Sequence, residues 1–330
     1  MKSTIPTTML FAFILLMMSG CKKEMPARIP EVPDNPVFPS TAVHPLDHVF
    51  ADNLAAATQQ YTITTDNGPG YVNGTQGFYA GFAAHAFRKA DGSTATGPIN
   101  ITLVEAFNVG DMLLLNKQTV GNDNGQPRLL VSGGQFRLTA EQDGEPLHLA
   151  PGMSYMSVPI PGLPDADMAL FSGRIQSDGT MMWDLWPNNT ITPIDSATID
   201  SIPLGGFSYS FPSDSLNWIN CDYFYGSGEP LTAVQVTCPP TFTASNTMVW
   251  LVFPTLNSLT NLSSGSGSVF STGGGYELPV GMDITVVALG QVDEQYYSSF
   301  TPAVVSQGMN MSITLAPTTL AQFAQDAGGL

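Results

Sequence analysis

The strongest constraint on what this chain can fold into is the way glycine-bearing turn signals divide its first half into short runs. Asp66-Asn67-Gly68, Asp91-Gly92, Asn124-Gly125, Asp143-Gly144 and Asp178-Gly179 recur between residues 61 and 186. Asp and Asn tolerate positive φ and glycine adopts it without steric cost, so such pairs suit tight connections between antiparallel strands. Between them lie Tyr61–Thr65, Gly77–Phe82, Ile99–Glu105, Leu129–Val131, Gln135–Ala140, Leu147–Leu149 and Ala169–Phe171. Runs this short, with turn residues at this spacing, argue an antiparallel β-sandwich. Asp143-Gly144, between Gln135–Ala140 and Leu147–Leu149, is the clearest hairpin signal.

The second half repeats the pattern with Phe207–Phe211, Trp218–Tyr225, Ala233–Thr237, Thr247–Phe253, Asp283–Leu289 and Met311–Leu315. Hydrophobic residues make up 43% of the 330, enough for two cores, while only 11% are charged and 32 Gly with 26 Pro supply many turns. The expectation is an all-β chain of two antiparallel sandwich modules. The first occupies 59–187, the second 204–330, and a polar, turn-rich linker at 188–203 joins them. Two short helices are expected, one over Asp52–Gln60 capped by Asp52, the other over Thr318–Ala327 with Thr318 as cap and Gly328-Gly329 ending it. Ser263–Gly275 reads as a flexible loop. It lacks the Gly-Lys-Ser/Thr ending of a phosphate-binding loop.

Ahead of the strands, Lys2 followed by the apolar run Met9–Met18 reads as a secretory signal over 1–20. Ten apolar residues in a helix rise only ~15 Å, about half a hydrocarbon core, so this run cannot stay as a span. Met18-Ser19-Gly20-Cys21 resembles a bacterial lipobox, which implies cleavage before Cys21 and lipid on its thiol. Residues 21–58 then form a tether and short lead-in, with prolines at 26, 30, 33, 36, 39 and 45. Proline at that frequency favours polyproline II at ~3.1 Å per residue, a reach of up to ~75 Å. Lys22-Lys23-Glu24 partly matches the surface-export signal of lipoproteins of the Bacteroidota.

The Asp91-Gly92 turn, the run Thr96–Leu103, Asp111-Met112, and Leu129–Gly134 followed by Phe136 and Leu138 resemble a module of exported Bacteroidota lipoproteins. That module is distantly similar to the β-sandwich domain of ankyrins and netrin receptors. The resemblance implies an interaction or structural module and carries no catalytic residue over. The His-Phe-Ser motif that some relatives of that domain use for autoproteolysis does not occur here. In and just after the linker, Asp195-Ser196-Ala197, Asp200-Ser201-Ile202 and Asp214-Ser215-Leu216 resemble the sites at which Bacteroidota O-glycosylate exported proteins. Ser196, Ser201 and Ser215 are the candidate acceptors.

A net charge of -17 repels a phosphate backbone and, with no basic patch or nucleic-acid motif, excludes a nucleic-acid function. After Cys21, only Cys221 and Cys238 remain, an even pair in a chain that leaves the reducing cytoplasm, and so one disulfide is expected. A hairpin of Trp218–Tyr225 with Ala233–Thr237 would set them opposite if the loop spans Gly226 to Ala233. A tighter turn would leave them out of register as two buried thiols. His44 and His48 flank Asp47, but Pro45 disfavours the helix that would bring both imidazoles to one zinc ion. Beyond the tether there is no Gly-x-Ser-x-Gly elbow and no Ser-x-x-Lys, and acid pairs such as Asp165 with Asp167 carry no spacing information about a cleft. No catalytic residue, metal ligand or cofactor is assigned. The expected function is a lipid-anchored structural or protein-interaction module of the cell envelope, at the outer membrane, with an envelope protein as partner. The alternative is a surface glycan-binding lipoprotein stacking sugars on Trp183 and Trp186. A third class, envelope hydrolase, requires carboxylates or a histidine and hydroxyl that converge in a pocket.

Overall fold

The strand Gln126–Gln142 is seventeen residues long and changes partners halfway. Its first part pairs with Val120–Asp123 across the Asn124-Gly125 turn, and its last part pairs with Ile99–Ala106. Trp218–Phe224 follows it along the other side, with a slip in register between Asn220 and Asp222. The bend falls at Gly133-Gly134. Gly134 has φ +115°, and a Cβ on Gly133 would sit 2.9 Å from the Cys221 carbonyl oxygen. Only glycine fits both positions, so the sequence fixes where the sheet turns. Past the bend, Ala169–Ile175 and Met181–Leu185 extend the sheet until Met181–Leu185 meets Val120–Asp123 in parallel, which closes the strands into a ring. The computed structural model describes residues 44–186, 191–195, 207–226, 228–273 and 276–330.

Facing this sheet is a second one, in the order Thr192–Asp195, Phe207–Pro212, Ser154–Ile160, Tyr79–Phe82, Gly70–Asn73. Phe78, Phe136, Leu138, Val158, Phe211 and Ile219 fill the space between them. This is the expected first sandwich with a different membership. Phe207–Pro212 pairs with Ser154–Ile160, and Trp218–Phe224 pairs with two strands of the first sheet. The boundary expected at 188–203 therefore does not separate the sheets, because the first sandwich needs strands up to Phe224 to cover its core.

The second sandwich sets Ser258–Asn261, Thr247–Phe253, Asp283–Val292, Gln295–Val304 and Ala316–Thr318 against Ser263–Ser264, Val269–Ser271, Gln235–Thr237 and Asn310–Ser312. Val236, Leu251, Phe253, Phe270, Val286 and Ala288 form its core. The alternation along Thr247–Phe253 shows how the two sandwiches join. Val249, Leu251 and Phe253 point into this core, while Trp250 and Val252 point the other way into a third one. The first sandwich contributes Leu130, Phe171, Trp183 and Trp218 to that middle layer. Three helices close it: α1 (Asp47–Ala57) with Val49 and Phe50, α2 (Val109–Leu114) with Met112 and Leu113, and α3 (Leu320–Ala327) with Phe323 and Ala327. Phe50 meets Trp250 edge to face at 6.0 Å. Each large side chain buried here contributes about 1.5–3 kcal/mol, so the shared layer ties the sandwiches far more strongly than a linker could.

The Asp143-Gly144 turn forms a hairpin with both residues at positive φ, but its second strand is Glu145-Pro146, and His148-Leu149, expected in it, pairs instead with Phe87-Arg88. A second hairpin, Val292 to Gln295, turns on Asp293 and Glu294, both left-handed without glycine, and so escapes a search for glycine pairs. α1 starts at Asp47 rather than Asp52. Asp47 Oδ2 accepts the His44 amide at 2.9 Å, while Gln59 and Gln60 are drawn into the strand that pairs with Leu103 and Thr102. α3 is capped by Thr319, whose hydroxyl accepts the Gln322 amide. The expected disulfide is not made. Cys221 and Cys238 are free and buried, because their strands do not pair with each other: Cys221 lies in the first core and Cys238 in that of the second sandwich.

Candidate functional site

Where the closed ring of the first sandwich meets the edge of the second, the chain leaves a cleft of about 960 Å³, at the upper end of the range of small-molecule sites. One wall is the Asp178-Gly179 hairpin with Arg174, Gln176 and Met182, and the other carries Val249, Thr260, Asn261, Phe270 and Tyr276. Asn116 and Gln118 lie between the two walls and join them. Asn116 sits at the left-handed φ of 52° just past α2, which turns the chain toward the second sandwich. Its Oδ1 accepts from Trp250 Nε1 at 3.0 Å and from Asn261 Nδ2 at 2.9 Å. Gln118 Oε1 accepts the Asn261 amide at 3.1 Å, and Gln118 Nε2 donates to the Met181 carbonyl at 2.7 Å. These bonds lock the base of the cleft.

Not every polar group in the walls is used. Tyr276 is 6% exposed, and its hydroxyl has no partner in hydrogen-bond geometry; the nearby Thr260 hydroxyl donates instead to the Asn261 carbonyl at 3.4 Å. Burial pushes the Tyr276 hydroxyl well above the ordinary tyrosine pKa, so it stays protonated and able to donate. Asn261 Oδ1 is likewise unpartnered. At the rim, His44 Nδ1 accepts the Leu46 amide at 3.2 Å, which puts the neutral ring's proton on Nε2. Burial lowers the His44 pKa and outweighs the opposing pull of Asp47, so that ring is neutral at pH 7. Among the described residues, the arginine of the cleft is already paired. Arg174 Nε donates to Asp184 Oδ2 at 2.9 Å, and Asn122 Nδ2 occupies Asp184 Oδ1 at 2.8 Å. Asp178 Oδ1 accepts from both the amide and the hydroxyl of Thr180.

A second polar cluster lies at the bend of the long strand. Asp222 is fully buried, and burial raises its carboxyl pKa well above the ordinary value of 3.8. It takes hydrogen bonds from Asn220 Nδ2 at 2.5 Å and the Gly133 amide, while Oδ1 has no partner and the Ser132 hydroxyl donates to Asn220 Oδ1 at 3.1 Å. The group sits at the slip in register, with no exposed surface and outside the lining of the cleft. Glu105, 2% exposed, plays a similar structural part at the turn before Tyr79–Phe82. It accepts from the Gln76 and Phe78 amides at 3.0 and 2.9 Å and from Gln59 Nε2 at 2.7 Å.

The residues singled out in the sequence fare differently. Cys21, Ser196 and Ser201 lie outside the described residues. Ser215 is half-buried, its amide donating to Ser213 Oγ and its carbonyl accepting from it. Trp183 cannot stack on a sugar: it faces the middle layer with no exposed surface and its Nε1 donates to the Gln118 carbonyl at 2.7 Å. Trp186 is half-buried against the first core, so the two tryptophans do not form one face. His44 and His48 do not converge, since His48 Nε2 pairs with the Tyr296 hydroxyl at 2.9 Å, and no group of three metal-ligating side chains occurs among the described residues. Tyr276, Asn261, Asn116 and Gln118 carry no sequence signature, because an amide or a tyrosine in a strand looks the same whether it faces solvent or a cleft. No model of a known protein family matches the chain, and no curated protein matches it.

Proposed function

We propose that the chain is a lipid-anchored protein of the cell envelope, held at the outer membrane through Cys21, that works as an interaction module for another envelope protein. The observation that carries this reading is an open strand edge. Ala316–Thr318 pairs only with Tyr296, Tyr297 and Ser298 of Gln295–Val304, so the edge from Ser299 to Val304 has no strand partner among the described residues. Val304 is 54% exposed there, and Pro302 is a residue that sheets tolerate only at such edges. An unpaired edge is a template for a strand from another chain. On this reading a lipid at Cys21 and the proline-rich tether would hold that edge within reach of a membrane surface. A photocross-linker at Val304 in intact cells should join the protein to an envelope partner, while the same group at Leu163, 82% exposed, should not. Equal cross-linking from both positions, or none from Val304, would remove the support.

A second reading, a surface glycan-binding lipoprotein, is favoured by the amide-lined cleft rather than by the tryptophans. O-glycosylation at Ser196, Ser201 and Ser215 belongs with either reading. It should appear as excess mass in protein from native cells that disappears when all three are changed to Ala.

A further inference from the structure

We propose that the cleft between the two sandwiches is a binding site for a neutral oligosaccharide, with Gln176, Asn261 and Tyr276 among its hydrogen-bonding groups; the proposal rests on the second, glycan-binding reading above. Three observations select that ligand class. First, the lining offers no unpaired cation among the described residues. Arg174 is its only lysine or arginine among the described residues and is committed to Asp184, while Asp178 Oδ1 accepts from Thr180 and Asp47 Oδ2 from the His44 amide. An anion would therefore meet no free cation in a chain of net charge -17.

Second, what remains is amide and hydroxyl, the groups that suit a ligand whose own hydroxyls both donate and accept. Tyr276 Oη and Asn261 Oδ1 belong to lining residues, one a donor and one an acceptor, each closed to bulk water and each without a partner among the described residues. Gln176 Nε2 is held by Thr180 Oγ1 at 3.0 Å, which fixes the orientation of its amide. Buried polar groups are almost always paired, so two orphans of complementary kind in one wall mark a place where a partner is missing. Phe270 and Val249 add the apolar surface on which a sugar's C–H face can rest.

Third, the cleft does not suit an extended peptide. The strand edge beside it, Ser258–Asn261, is already covered: the Thr119 amide donates to the Leu259 carbonyl at 2.9 Å, and Gln118 Oε1 takes the Asn261 amide. Val120–Asp123 is paired on both sides. No main-chain ladder is left for a peptide to join at these strands.

The test uses the full lipidated chain in detergent. An array of neutral hexose, pentose and N-acetylhexosamine oligosaccharides is followed by calorimetry with the best trisaccharide. Trigalacturonic acid, trilysine and an unstructured peptide serve as charged and peptide probes. A neutral trisaccharide should bind, and Gln176→Ala and Tyr276→Phe should each weaken it by about five- to ten-fold, the loss of one hydrogen bond. Tyr276→Phe also removes an orphaned hydroxyl, so the free variant should melt at or above the parent temperature, which separates lost binding from lost folding. Failure of every neutral sugar, tighter binding of a charged or peptide probe, or affinity within two-fold of the parent in both variants would overturn the site. None of these outcomes bears on the open edge at Ser299–Val304. A failed cross-link from Val304 would in turn leave the sugar measurements standing.

Discussion

Asp222 at the bend of the long strand and Tyr276 in the wall of the cleft share an unusual property: each is deeply buried with one oxygen that has no partner. Their surroundings divide them. Asp222 lies inside a closed network in which Asn220 and Gly133 donate to it and Ser132 donates to Asn220, all on the same pair of strands, so its chemistry is spent on shaping the sheet. Tyr276 borders open space whose other lining groups come from separate elements of both sandwiches. A buried polar group can thus serve the fold or a ligand, and the neighbouring volume tells which.

The sharpest way to break this contrast is Asp222→Ala. It leaves a cavity and strands two donors, so unfolding free energy in denaturant titration should fall by about 3–5 kcal/mol, with sugar affinity in the surviving folded fraction unchanged. Next comes the bend itself. Gly134→Ala meets Phe107 Cδ1 at 2.9 Å in a backbone region that alanine disfavours, and should cost about 2–3 kcal/mol by the same measurement.

Asp222→Asn should cost less than about 1.5 kcal/mol at acid pH, because the folded carboxyl is already uncharged and an amide has nearly its shape. Its effect depends on pH. The folded pKa lies above the unfolded one, so the folded state holds the proton longer, and the stability this carboxyl contributes is full below the unfolded value of 3.8 and declines as pH rises above it. The slope is at most ~1.4 kcal/mol per pH unit. Asp222→Asn should abolish that decline and gain on the parent as pH rises above the unfolded value. An unchanged pH profile would mean the carboxylate is charged in the fold.

The smallest effect concerns the two thiols. With Cys221 and Cys238 in different cores, both should resist labelling in the native protein, and both should react on unfolding without reductant. A protein with no reactive thiol after unfolding would restore the disulfide.

How much of this was legible beforehand follows from what each signal encodes. Glycine pairs state a backbone angle, so the Asp143-Gly144 and Asn124-Gly125 hairpins could be read directly, and with them the all-β class. The apolar run Thr247–Phe253 showed that both its faces are buried, though not that the second face meets the other sandwich. That depends on Phe50, Trp183 and Phe323, which arrive from distant parts of the chain. The disulfide failed for the same reason: proximity in sequence suggested a hairpin, while Trp218–Phe224 found its partners at residues 130–137 and 169–172. The cleft was invisible because its groups are ordinary amides set side by side by that long-range pairing.

The contrast between the two buried oxygens is tested most directly by thermal melts of the parent, Asp222→Asn and Tyr276→Phe chains with and without the best neutral trisaccharide. A binding role for Tyr276 and a structural one for Asp222 predict that the sugar raises the melting temperature of the parent and of Asp222→Asn equally, and that of Tyr276→Phe by clearly less. An equal shift in all three would contradict it.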